Sequence, residues 1–233
     1  MELMEQKNIV YDANLELVRR KLVIYTWGNV SIIDREKGLV IIKPRGIPYE
    51  KLTPDDMAVV DMDGNMVEGK LLPSVDLDIH MAMYKRFPAI GAIAHTHSTF
   101  ATAWAQSRRD IPVYGTTHGD HFYGDIPCTR DMIPEDVEGN YEANIGDVIV
   151  DTFESRGIDP MQMFGALTAG HGPFTWGATA EAAVENSVIL EEISKIAFLT
   201  ELITEHPRKL EKFALDKHFL RKHGANSYFY QSK

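Results

Sequence analysis

His95-Thr96-His97 closes an apolar run, Ile90-Gly91-Ala92-Ile93-Ala94, that reads as a strand. Side chains alternate faces along a strand, so residues two apart point the same way. Two imidazoles placed like this can reach one cation. Imidazole nitrogen suits zinc and its transition-metal neighbours, and a catalytic site keeps a coordination position open for substrate. His171 stands between Gly170 and Gly172 after a second apolar run, Met163 to Thr168. Glycines on both sides let backbone approach a site closely, which makes His171 the candidate third ligand. Asp76 and Asp78 are the candidate carboxylates. The other histidines, His80, His118, His121, His206, His218 and His223, show no such pattern and read as structural or solvated.

A second group of residues suits an anionic or hydroxylated ligand. Thr26-Trp27-Gly28-Asn29-Val30-Ser31 puts a glycine and an amide where a strand turns. Lys43-Pro44-Arg45-Gly46 follows the next strand, and two cations beside a glycine N–H make an anion cradle. Ser74 adds a hydroxyl just before Asp76. In Thr116-Thr117-His118-Gly119-Asp120-His121, the Asp120 carboxylate has the chemistry of a general acid or base. The tail segment Tyr228-Phe229-Tyr230 carries two phenols.

The elements that must position these groups follow from hydrophobic periodicity. Residues 2–21 have a loose helical stripe of Leu3, Ile9, Val10, Leu15 and Leu17. Short β-branched runs at 23–26, 30–33 and 39–42 predict strands, and 57–67 predicts a hairpin turning at Asp63-Gly64. Helices are expected over 76–86, from Ser98 as cap through Gln106, and over 145–156. Residues 112–127 read as a loop and 90–97 and 163–168 as strands. A long helix is expected after Thr179, and a last one from Pro207 to Gly224. Strands mixed with helices predict an α/β chain with helices flanking a central sheet. Residues 1–233 contain no linker, low-complexity tract or internal repeat, so one domain is expected.

Composition excludes several classes of function. The chain has 233 residues with a net charge of −10, which lacks the basic footprint that nucleic-acid binding or an anionic membrane surface requires. No apolar run approaches the ~20 residues of a membrane helix. Met1 to Lys7 alternates charge with apolar residues, unlike a signal peptide. Cys128 is the single cysteine, so no intrachain disulfide is possible and a reducing cytoplasm is the expectation.

Taken together, Thr26 to Ser31, Lys43-Pro44, Pro73-Ser74, His95-Thr96-His97-Ser98, His171-Gly172-Pro173, Lys217-His218 and Leu220 to Ala225 resemble the class II aldolase family. Gly115 to His118 and Ile126 to Arg130 are closer to its L-ribulose-5-phosphate 4-epimerase branch than to its aldolases. The resemblance spans essentially the whole chain. It implies a three-layer α/β/α fold with a mainly antiparallel sheet, and a divalent metal, Zn2+ first with Mn2+ or Co2+ as alternatives, on Asp76, His95, His97 and His171. It implies a cytoplasmic homotetramer with sites between subunits, acting on a sugar phosphate. The implied reaction inverts C4 of a ketopentose phosphate, L-ribulose 5-phosphate to D-xylulose 5-phosphate, by retro-aldol and aldol steps assisted by a Lewis acid. The resemblance makes Asp120 one proton-transfer group and adds His218 near it. It implies substrate contacts at Gly28, Asn29, Lys43, Gly46, Ser74 and Thr116. Three positions depart from the family pattern. Phe229 stands where the family has a second proton-transferring tyrosine, so the role passes to Tyr230 or Tyr228, or to water. Arg45 and Val75 replace serines of the phosphate site, which keeps an aldolase, or a different sugar phosphate or sugar acid, as the alternative. A non-catalytic binding module on the same fold is a third reading.

Overall fold

The computed structural model describes residues 2–225 and 227–229; Tyr230, assigned above to proton transfer, lies outside them. The first helix, α1 (Leu3–Arg19), leads into β1 (Asn29–Asp34), β2 (Leu39–Ile42), β3 (Ala58–Asp61) and β4 (Met66–Glu68). Next come α2 (Leu77–Arg86), β5 (Ala92–His95), α3 (Thr99–Ser107) and the short helices α4 (Thr116–Gly119) and α5 (Pro134–Glu138). The chain ends with α6 (Tyr141–Arg156), β6 (Gly165–Thr168), β7 (Gly172–Gly177), α7 (Ala180–Ile203) and α8 (Lys212–His223).

The strands form one seven-stranded sheet in the order β4-β3-β2-β1-β5-β7-β6, and every neighbouring pair is antiparallel. Strand periodicity sorts its two faces. Val30, Ala92 and Ala94 pack with Ala13 and Leu17 of α1 and with Ala180, Ala183 and Val184 of α7. Val40, Ile42, Ala58, Val60 and Ile93 face the other way, onto Leu77, Ile79 and Met83 of α2 and Ile145 and Ile149 of α6. This is the expected three-layer α/β/α arrangement around an antiparallel sheet. The alanines on one face of β5 let α7 lie close to the sheet, while Ile93 and His95 share the opposite face.

Several elements differ from the sequence-based expectation. Residues 23–26 are not a strand. Tyr25 takes the left-handed conformation (φ +54°), and the Trp27 amide donates to the Ile24 carbonyl at 3.1 Å, so the segment is a turn that reverses the chain from α1 into β1. The strand at 90–97 is shorter, and His97 lies beyond its end. The expected loop at 112–127 contains α4, and α5 had no counterpart among the expected helices. Strand β7 has no counterpart among the expected strands, because Gly172-Pro173 at its start and Gly177 at its end are strand-weakening residues. The two strands instead form a hairpin, with β7 in the sheet interior. Pro207 does not start the last helix. Leu210 donates its amide to the Val113 carbonyl at 2.7 Å, a tertiary bond that keeps this stretch extended until Lys212.

Ser98 occupies the cap position of α3, but its hydroxyl makes no cap hydrogen bond. The carboxylate of Glu191, on α7, takes that place, accepting the amides of Phe100 at 2.9 and 3.1 Å and of Ala101 at 3.0 Å. A carboxylate at a helix N-terminus satisfies orphan donors and complements the helix dipole. Glu191→Ala is expected to lower the unfolding free energy by about 1–2 kcal/mol. Denaturant unfolding followed by circular dichroism, at fixed protein concentration, measures this.

Candidate metal and sugar site

Sheet register builds the site. Asn29 of β1 and Phe174 of β7 both pair with His95 of β5, so the three lie in a row across the sheet. Phe174 stacks on the His95 ring with 4.1 Å between centroids and 15° between planes. His95 Nδ1 lies 2.9 Å from the Pro173 carbonyl oxygen. A carbonyl only accepts, so Nδ1 carries the proton and the neutral ring presents a bare Nε2. His97 Nε2 lies 3.1 Å from that atom, and the ligand nitrogens of His95, His97 and His171 all fall within 4.8 Å of one another. His171 Nδ1 is buried without a hydrogen-bond partner.

Two glycines permit this approach. Gly28 has φ +94°, and a Cβ there would meet the His95 carbonyl oxygen at 2.6 Å. A Cβ on Gly172 would meet the Thr96 oxygen at 2.9 Å. Both therefore allow backbone to pass directly beside the His95–His97 segment. The Trp27 ring, half exposed, lies 6.1 Å from His97.

Asp76 stands at the N-terminus of α2, outside the three-histidine cluster but electrostatically joined to it. Its Oδ2 accepts from Asn29 Nδ2 at 2.6 Å and from the Ser74 hydroxyl at 3.4 Å. Burial acts to raise the Asp76 carboxyl; the neighbouring His95 and His80 rings and the Asn29 amide outweigh it and hold the group below its ordinary value. Burial pushes His95 down to about 3, against the charge of Asp76, and lowers His97 and His171 as well. The imidazoles are thus neutral at ordinary pH, which is the ligating form. Nitrogen donors free of protons, an orphaned buried nitrogen and a tethered carboxylate fit a divalent transition metal.

The anion group forms only in part. Asn29 Nδ2 also reaches the Ser74 hydroxyl at 3.2 Å, and the Ser74 amide donates to the Lys43 carbonyl at 3.0 Å. Lys43 is buried, its ammonium 4.7 Å above the Tyr49 ring. Burial pushes it down to about 8, although Asp76 works in the opposite direction. Tyr49 in turn donates to the Gly28 carbonyl at 2.8 Å. Gly28, Asn29, Lys43 and Ser74 therefore form one connected group with Asp76. Gly46, left-handed at φ +70°, lies in the turn after Lys43 with open space around it. Arg45 and Val75 point to solvent at the rim.

Asp120 and Thr116 do not join this group within the chain. Both belong to the α4 segment, which packs on α8. Asp120 Oδ1 is 3.0 Å from His218 Nδ1, and Arg221 grips both oxygens, Nε to Oδ1 at 3.0 Å and a terminal nitrogen to Oδ2 at 2.8 Å. The groups acting on Asp120 are Arg221, His218 and Lys222, and none of them is in the histidine cluster. Sequence reasoning missed Arg221, Tyr49 and Phe174. Arg221 lies 101 positions from Asp120, so no local spacing announces the pair. His80, expected to be structural, is fully buried against Ser31 and beside Asp76.

Each chain is expected to bind one divalent ion, and His95→Asn, His97→Asn or His171→Asn to abolish that stoichiometry. Asn29→Ala, which releases Asp76, should weaken the ion about 10–100-fold. Elemental analysis and competition with a chromogenic chelator measure both effects.

A model of the class II aldolase and adducin N-terminal domain matches residues 8–198. The chain is 50% identical over 225 residues to the L-ribulose-5-phosphate 4-epimerase UlaF of Salmonella paratyphi B, covering 97% of this chain and 98% of the relative. The same figures hold for the relative of that name from Salmonella typhi. Among solved structures, an L-fuculose 1-phosphate aldolase superposes with a TM-score of 0.79 at 26% identity, over 94% of this chain and 96% of that one. YgbL from Klebsiella pneumoniae shares the fold with a TM-score of 0.73 at 23% identity, over 93% and 99% of the two chains. The all-antiparallel three-layer architecture, the histidine cluster and these similarities agree: the chain belongs to the class II aldolase family, in its L-ribulose-5-phosphate 4-epimerase-like branch.

Proposed function

We propose that the protein is a metal-dependent epimerase that inverts C4 of a ketopentose phosphate, taking L-ribulose 5-phosphate or a close analogue to D-xylulose 5-phosphate. The convergence of His95, His97 and His171 beside a tethered Asp76 carries this reading, in a chain half identical to 4-epimerases. A divalent ion on these four residues, Zn2+ by the nitrogen-rich donor set with Mn2+ or Co2+ as alternatives, would supply Lewis-acid polarisation of the ketose. Residues 1–233 act as one unit in this reading.

The chain's own residues do the rest. Lys43, Asn29 and Ser74, with the backbone at Gly28 and Gly46, bind the substrate phosphate, and Arg45, Val75 and Thr116 border the sugar. Asp120 accepts the C4 hydroxyl proton on a carboxylate oxygen as the C3–C4 bond breaks. The O–H electron pair becomes the new C4 carbonyl, and the electrons of the broken bond pass to the ketose carbonyl. Rotation of the aldehyde and re-addition to its other face then invert C4. His218, bonded to Asp120, keeps its carboxylate oriented. A phenol delivers the proton on the opposite face, a role Phe229 cannot fill and Tyr230 can.

Asp120 has no contact with the histidine cluster in its own chain, so the reaction requires two copies to meet, in a homotetramer with sites between subunits. Exposed apolar side chains on α7 and α8, among them Leu202, Ile203, Phe213 and Leu220, supply surface for such an assembly. A cytoplasmic setting goes with this reading; among the described residues no helix is long and apolar enough to cross a membrane.

Phe229 favours a second reading. Without a phenol there, cleavage can proceed while re-addition stalls, which would make the protein an aldolase, on a sugar phosphate or a sugar acid. Incubation with Zn2+ or Mn2+ and L-ribulose 5-phosphate is expected to yield D-xylulose 5-phosphate, and Asp120→Asn to slow turnover by at least about 100-fold. No product would remove this substrate. A coupled dehydrogenase that captures free aldehyde would show the aldolase instead.

A further inference from the structure

Arg221 connects two parts of the molecule. Its guanidinium forks onto both oxygens of Asp120, a residue whose side chain is only 14% exposed. Its carbonyl oxygen accepts the amides of Tyr228 and Phe229, at 3.0 and 3.2 Å. The same guanidinium lies 5.2 Å from the centre of the Phe229 ring, which also has the Lys222 ammonium at 4.3 Å. A planar fork fixes the carboxylate plane as well as its charge, which a lone ammonium cannot do.

We propose that Arg221 is a positioning residue for Asp120: its fork sets the plane of that carboxylate, and its backbone carbonyl seats the C-terminal tail in register with it. Phe229 thus serves this chain as an anchor between two cations, while its neighbours carry the phenols. The proposal rests on the reading of Asp120 as the proton acceptor at C4.

Other titratable groups also face Asp120. His218 and Lys222 come from α8, and His223 of the same helix bonds the Asp120 backbone oxygen at 3.0 Å. His121 follows Asp120 directly and meets Lys222 at 3.2 Å. Burial works to raise the Asp120 carboxyl, and the bonds from Arg221 and His218 with the charge of Lys222 outweigh it, so the group is held below its ordinary value. Losing Arg221 removes the forked cation, and the carboxyl then titrates at higher pH.

The test compares Arg221→Gln and Arg221→Lys in the full-length holoenzyme. Carboxyl 13C NMR, assigned with Asp120→Asn, follows Asp120 directly, and the pH profile of turnover on L-ribulose 5-phosphate is recorded in parallel. In R221Q the Asp120 titration and the acidic limb of kcat should both move up by about one pH unit or more. In R221K the limb should stay near its wild-type position while kcat falls and KM holds, because charge is kept and the fork is lost. An Asp120 titration in folded R221Q that superimposes on the wild type overturns the proposal. So does R221K with wild-type kcat. Full turnover by D120N would instead sink the reading of Asp120 as proton acceptor, and the NMR titration would still decide whether Arg221 controls the carboxyl.

Discussion

The candidate metal centre depends on one hydrogen bond, from His95 Nδ1 to the Pro173 carbonyl. It sets the tautomer of a buried ring and aims the bare nitrogen at His97 and His171. The acceptor is Pro173, the second residue of β7, two positions after His171 and one before Phe174, which stacks on the same ring. A shift of β7 by one residue would move this carbonyl and turn Phe174 to the opposite face. The β5–β7 register is therefore a condition for the site, and the residues that look like a strand-breaking Gly-Pro are what the arrangement needs. Proline brings a carbonyl and no competing donor to that position.

Beneath the histidines the interior is polar and ordered. Ser31 links His80 Nδ1 at 2.7 Å and the Tyr84 hydroxyl at 2.8 Å, and Tyr84 returns a bond to the Ser31 carbonyl at 3.1 Å. Burial drives His80 down to about 4, so it sits as a neutral ring next to Asp76. Such a network resists rotation of α2 against the sheet, because any displacement leaves buried polar groups unpaired. Asp76 at the start of α2 is thereby held where Asn29, from β1, can bond it. The fold thus uses helix–sheet packing to place a carboxylate and strand register to place imidazoles.

The α4–α8 region solves a separate problem. Asp120, His218, Arg221 and His223 make a polar cluster on a layer of aromatic rings, with Phe219 against His223 at 4.5 Å and Tyr123 against Phe219 at 4.9 Å. The groups acting most on Asp120 are Arg221, His218 and Lys222, all from α8. Within one chain, the Asp120 carboxylate and the histidine cluster therefore sit in separate environments, each with its own electrostatics.

Much of this was legible in residue types and spacing. The His-x-His pair, the glycine-flanked His171, the Lys43 and Ser74 turns and most helices and strands carry local signals, because periodicity and turn chemistry act over a few residues. The same local signals misled at 23–26, where a β-branched run had to turn, and at Pro207, where a bond to Val113 overrode a helix start. Spacing left Asp76 and Asp78 open and the family resemblance pointed to Asp76, which the Asn29 amide bonds, while the grip of Arg221 on Asp120 spans 101 residues. Composition and pattern determined the class of fold and the kinds of ligands available, since these depend on what each short segment can bury. Tertiary structure alone decided which nitrogen of His95 is bare and which cation holds Asp120. Those outcomes follow from how distant segments are brought into register, and no short-range interaction encodes that.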